Sequence, residues 1–122
     1  MLRAGVPPAK ISLGLASYSD YWTAGYDARN GAHPRARDIA YPDLMKIISA
    51  AGATPKWDKR ERAWVAMWED HQVFEHAWIE DVRAFKDKLA LVKKHGLRGY
   101  SVWLLGTEDP RVWGVVGRVP KR

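Results

Sequence analysis

At 122 residues, with 47% hydrophobic and 28% charged side chains, the chain is sized for one domain with its own core and is too apolar for intrinsic disorder. The absence of cysteine excludes disulfides, thiolate nucleophiles and zinc–thiolate sites. The net charge of +6 could suit an anionic partner, but the basic residues are spread along the chain among interleaved acids, the pattern of a solvated surface, and no DNA- or RNA-binding motif accompanies them.

In chain order, residues 1–8 contain no apolar run of signal-peptide length, and nothing later is apolar enough to span a membrane. The expectation is a soluble chain whose compartment is open. Residues 10–15 alternate apolar and small side chains and read as a strand. A long loop rich in Gly, Asn, Tyr and Asp is expected over 17–37, a length more often functional than structural. Pro42 and Asp43 suit the first turn of a helix whose apolar stripe is Leu44, Ile47, Ile48 and Ala51, closed by Gly52 and Pro55. Three short strands follow as an antiparallel meander: 54–57, 63–68 and 73–79, with turns at 58–62 and 69–72. Val82, Phe85, Leu89 and Val92 recur at helical spacing, so 81–95 is a helix with Asp81 as N-cap and Gly96 as its stop. Residues 99–105 read as a strand buried on both faces, and Thr107 as the cap of a last short helix over 108–115.

Seven tryptophans are present, and their flat apolar faces with one N–H donor suit both cores and the apolar faces of pyranose rings. Trp64, Trp68 and Trp78 lie in apolar runs and are read as core. Four histidines, His33, His71, His76 and His95, show no metal-ligand spacing, and neither a metal nor a cofactor is expected. There is no nucleophile elbow, phosphate loop or dinucleotide fingerprint.

Four segments resemble one family in the right order. Leu13-Gly14-Leu15-Ala16-Ser17-Tyr18, with Trp22 beyond, is similar to the Leu-Gly-x-Pro-x-Tyr-Gly strand end of family-18 glycoside hydrolases. Trp57-Asp58 matches the Trp-Asp of their spore-germination, YaaH-like branch. His76-Ala77-Trp78-Ile79-Glu80-Asp81 resembles that branch's His-x-Val-Trp-Phe-Glu-Asp, and residues 97–110 its closing strand and loop. The chain departs from the pattern at Ala16 for Pro, Ser19 for Gly and Ala84 for Ser.

The resemblance implies an α+β chain made of part of a (β/α)8 barrel. Its last two strands and helices would span 5–22 and 81–116, a small α+β insertion about 38–80, and a basic tail 117–122, all as one domain over 1–122. The family cleaves β-1,4-linked N-acetylglucosamine polymers by substrate-assisted catalysis, with the Glu of Asp-x-x-Asp-x-Asp-x-Glu as acid. That motif occurs nowhere in these 122 residues. The reading is therefore a glycan-binding remnant of such a hydrolase, a partner of oligosaccharides and not of membranes or nucleic acid. An active hydrolase using other carboxylates, even across a dimer interface, and a basic nucleic-acid-binding module are the alternatives.

Trp103, at the end of the closing strand, would be the sugar platform, with Tyr18, Trp22 and Asp20 at the end of the first strand as further sugar contacts. Each of the three aromatics could equally be packing. The surviving carboxylates are Glu80, Asp81, Glu108 and Asp109. Glu80 and Asp81 are adjacent on a strand end and so point apart, which makes capping the better role for Asp81. Glu108 and Asp109 suit the start of the last helix. Half a barrel leaves apolar strand edges unpaired, from which a homodimer is expected.

Overall fold

The computed structural model describes residues 1–24, 35–71 and 73–116. Two sheets divide the described residues. The first is a parallel pair, β1 (Ser12–Ala16) beside β7 (Gly99–Trp103), in register from Ser12 opposite Gly99 to Ala16 opposite Trp103. Alternation puts Leu13, Leu15, Tyr100 and Val102 on one face, where they pack with Val82, Phe85 and Leu89 of helix α2 (Val82–Lys94) and with Val112 and Val116. The other face carries Ser12, Gly14, Ser101 and Trp103, all exposed. The expectation of a closing strand buried on both faces over 99–105 is thus corrected. The strand stops at Trp103, one face is covered, and Trp103, Leu104 and Leu105 are 68%, 47% and 66% exposed.

The second sheet is antiparallel and five-stranded: β2 (Ser19–Ala24), β3 (Arg35–Ile39), β4 (Lys56–Asp58), β5 (Ala63–Asp70) and β6 (Val73–Ile79), in the order β3-β2-β6-β5-β4. This bears out one expectation and corrects another. The expected three-strand meander is present as β4-β5-β6, but two further strands extend its sheet beyond β6, and they are the two ends of the expected loop over 17–37, strands β2 and β3; residues 25–34 lie outside the described residues. The physical reason is visible in β3, Arg-Ala-Arg-Asp-Ile, an edge strand whose charges leave too little apolar alternation to announce it. The chain leaves the parallel pair at Ala16 and enters the five-stranded sheet at Ser19.

Helix α1 (Tyr41–Ala50), with Pro42 in its first turn, covers one face of this sheet. Its Leu44 and Ile48 are buried with Tyr21, Ala66, Ala77 and Ile79. Ala66 and Ala77 are cross-strand partners, and their small side chains leave room for the helix to seat. Trp64 and Trp68 pack against the same cluster, and Trp68 stacks on Tyr21 at 5.9 Å between ring centroids.

Helix α2 starts where the sequence places it. The Asp81 carboxylate accepts from the N–H groups of Arg83 and Ala84 at 3.0 and 2.9 Å, satisfying two of the donors a helix start leaves unpaired. The last turn is different from expectation. A 3-10 turn over Pro110–Val112 leads into the short α3 (Trp113–Val116), and Asp109, not Thr107, is the cap. Thr107 instead donates to the Leu104 carbonyl at 2.6 Å and lies 3.1 Å from the Ser17 hydroxyl, closing the loop after β7. The tail 117–122 lies outside the described residues.

Candidate functional site

Side chains converge where the first sheet meets the second. At the C-terminal end of β1, Ala16 opens a cleft of about 240 Å³ that is lined further by Tyr18, Asp20, Glu61, Ala63, Trp78, Ile79, Glu80 and Lys88. The placement follows from the strands. Asp20 of β2 lies opposite Trp78 of β6, so both project from the face of the sheet away from α1. Trp22 is two residues on, opposite His76, on that same face and 37% exposed. His76 meets Trp78 edge to face at 5.5 Å, and its Nε2 is buried without a partner; burial lowers its pKa. Trp103 pairs in register with Ala16, so its exposed indole stands beside the mouth of the cleft.

The carboxylates sort by what holds them. Asp81 faces the other way from Glu80: besides capping α2, it accepts the Trp64 indole N–H at 3.2 Å. Asp109 is 1% exposed and accepts from the Val82 N–H, the Arg111 N–H and the Arg111 guanidinium. Burial alone would raise its pKa, but the hydrogen bonds from Arg111 and Val82 outweigh it and hold the carboxyl below the usual range. Glu108 accepts the Gly106 N–H at 2.6 Å and the Trp113 indole N–H at 3.0 Å, and these bonds likewise win over its slight burial and lower its pKa. All three are structural acceptors.

Glu80 is the exception. It is 7% exposed; one oxygen takes the Lys88 ammonium in an ion pair, and Oε1 has no hydrogen-bond partner. Burial raises its pKa, and Lys88 recovers only part of that shift. Asp20 is raised by burial first and by Asp38, its cross-strand partner, second. Of the residues singled out from sequence, the structure therefore brings Tyr18, Asp20 and Glu80 into one cleft, sets Trp22 and Trp103 at its margins, and takes Asp81, Glu108 and Asp109 away from it. Trp78, read as core, is half-buried and lines the cleft, which corrects that reading. Lys88 was not singled out at all; on α2 it is one of four lysines, and only the chain reversal between β6 and α2 brings it to Glu80.

A second depression, about 250 Å³, lies between α1 and β5 and is lined by Tyr41, Met45, Pro55, Trp64, Ile79 and Asp81. Its one ionisable carboxylate is already engaged by α2 and Trp64, so it offers a ligand little beyond apolar surface. Among the described residues, no group of three His, Asp or Glu side chains is arranged to hold a metal ion, and no helix is long and apolar enough to cross a membrane.

The aromatic and carboxylate side chains are gathered beside the C-terminal ends of a parallel strand pair, the place where barrel folds build their sites. The profile of glycosyl hydrolases family 18 matches residues 1–108, and the chain belongs to that family. It is 32% identical over 109 residues to the cortical fragment-lytic enzyme of Bacillus subtilis strain 168, covering 88% of this chain and 25% of that protein. It is 30% identical over 117 residues to chitotriosidase-1 of Mus musculus, covering 88% and 24%. Among solved structures, the spore cortex-lytic enzyme SleL of Bacillus megaterium QM B1551 superimposes with a TM-score of 0.82 at 26% identity, covering 98% of this chain and 28% of that one. A chitinase of Chromobacterium violaceum gives 0.77 at 26%, covering 96% and 35%. The chain spans about a quarter of the length of these curated relatives and corresponds to a portion of the family-18 fold.

Proposed function

We propose that these residues form one wall of a glycan-binding cleft, with β1 and β7 as the last two strands of a (β/α)8 barrel and the five-stranded sheet with α1 as an insertion between them. On this division the barrel portion is 5–16 with 81–116, and the insertion begins at Ser19. The observation that carries the reading is the convergence of Tyr18, Asp20 and Glu80 in one cleft beside the exposed Trp103. In such barrels the site lies at the C-terminal ends of the strands, and Ala16 and Trp103 occupy those ends. An indole that is 68% exposed does not stabilise a core and is a flat apolar surface on which a pyranose face can stack. The glycan is β-1,4-linked N-acetylglucosamine polymer, as the resemblance to family-18 hydrolases implies. The chain binds it without hydrolysing it. Cleavage needs an acid within hydrogen-bond reach of the glycosidic oxygen, the family's acidic motif is absent from these 122 residues, and three of the four remaining candidate carboxylates are consumed by backbone and indole donors.

Calorimetric titration of the chain with N-acetylglucosamine tetramer, with a reducing-end assay on the same samples, tests this. Saturable binding without release of reducing ends is the expected result. Release abolished by Glu80→Gln would establish catalysis instead, and no binding would remove the reading.

A further inference from the structure

Trp57 and Asp58 carry part of the family resemblance, yet neither lines the cleft. What they build is the turn between β4 and β5. The Asp58 carboxylate accepts the N–H groups of Arg60 and Glu61 at 2.7 and 2.9 Å, and its carbonyl accepts that of Arg62 at 2.9 Å. Arg62 takes a left-handed φ of 57°, which a non-glycine residue adopts at a cost. Helix α2 grips the same hairpin twice. The Arg83 guanidinium stacks over the Trp57 ring at 3.8 Å, and Arg62 pairs with Asp87 at 2.8 Å. Arg83 and Asp87 are one helical turn apart and so share a face of α2. Contacts as exposed as these add little stability, so what they chiefly fix is where the turn sits. Alternation along β5 connects that position to the cleft. Trp64 turns to Trp57 and Asp81, so its neighbour Ala63 turns to the opposite face, where Ala63 and Glu61 form part of the cleft wall. The Glu61 side chain is 53% exposed there, and its one ion pair among the described residues is with the still more exposed Arg60 at 3.3 Å. Its carboxylate is therefore open to a ligand donor.

We propose that Arg83 is a positioning residue: through Trp57 it holds the β4–β5 turn against α2, and so places the Glu61 carboxylate to accept a hydrogen bond from a hydroxyl of the sugar in the cleft. This rests on the glycan-binding reading and assigns one wall of that site. A hydroxyl donating to a carboxylate is a strong bond that a neutral, N-acetylated glycan can supply. The grip is formed without ligand and lies outside the cleft, so Trp57 and Trp64 keep their place when the glycan binds.

The test is a double-mutant cycle read by calorimetry, with N-acetylglucosamine tetramer and the full 122-residue chain. Glu61→Ala and Arg83→Met are each expected to weaken binding about tenfold, since the first removes the acceptor and the second releases the turn that presents it. Arg83 is exposed and methionine keeps an apolar stem over Trp57, so the urea midpoint of that variant should stay close to wild type. The double variant should bind no more weakly than the weaker single variant, a coupling that a merely structural arginine would not produce. Asp87→Asn, which frees Arg62, should likewise lower affinity only while Glu61 is present. Losses that add across the cycle overturn the inference, as does wild-type affinity in Glu61→Ala or Arg83→Met, and either result leaves the glycan reading standing. Absence of binding by the wild-type chain overturns the inference together with the reading it rests on.

Discussion

Asp109 ties separate elements together through one buried carboxylate. Its carboxylate holds the first N–H of α2 at 2.9 Å and the N–H of Arg111 at 3.0 Å, while Arg111 reaches on to the Tyr41 hydroxyl at 2.9 Å and so ties α1 to the closing loop. Asp109→Ala leaves the Val82 donor and the Arg111 guanidinium without an acceptor. It should cost between about 1 and 3 kcal/mol in urea unfolding; an unchanged midpoint would contradict the assignment. Its pH dependence has a defined sign. The native carboxyl titrates below its ordinary 3.8, so its contribution is present above that value and is lost as pH falls through the lowered one. Wild type should therefore lose more stability than Asp109→Asn between about pH 5 and pH 2. Parallel curves would show that the carboxylate is not specifically held. Glu80 has the opposite sign: its native pKa is raised above the ordinary 4.5, so its ionisation opposes folding as pH rises past that value.

At the scale of elements, helix α2 is the part most legible from sequence. Val82, Phe85, Leu89 and Val92 mark its apolar stripe, Asp81 its start, and the observed Val82–Lys94 agrees with both. Asp81→Ala removes the acceptor of two backbone N–H groups and of the Trp64 indole, and should cost about 1 to 2 kcal/mol by chemical denaturation; no loss would mean the cap is idle. Strands β2 and β3 were not legible. Their polar and charged residues make sense only once a neighbouring strand supplies the hydrogen bonds, and that pairing joins Asp20 to Trp78 across 58 positions of sequence. The cleft was half legible for the same reason. Tyr18 and Glu80 lie in segments that carry the family resemblance, whereas Asp20 and Lys88 gain their place only from how β2 pairs with β6 and how α2 folds back.

For the molecule as a whole, the parallel pair is the exposed feature. Among the described residues β1 and β7 pair only with each other, and apolar Trp103, Leu104, Leu105 and Trp113 lie open beside them. Unpaired strand edges next to apolar surface invite association. The isolated chain is expected to self-associate, and sedimentation velocity over a dilution series should show a concentration-dependent weight; a monomer at every concentration would contradict this. The cleft offers the more direct test of the account. Of the seven tryptophans, Trp103 and Trp22 stand at its margin and Trp78 within it, while Trp57 and Trp64 lie against each other under Arg83 on another side of the fold. Indole N–H chemical shifts followed by NMR during titration with N-acetylglucosamine tetramer separate the two groups. Saturable shifts at Trp103, Trp78 and Trp22, with Trp57 and Trp64 unmoved, are the result predicted for a glycan-binding cleft between the two sheets. Shifts confined to Trp57 and Trp64, or none at any indole, would contradict it.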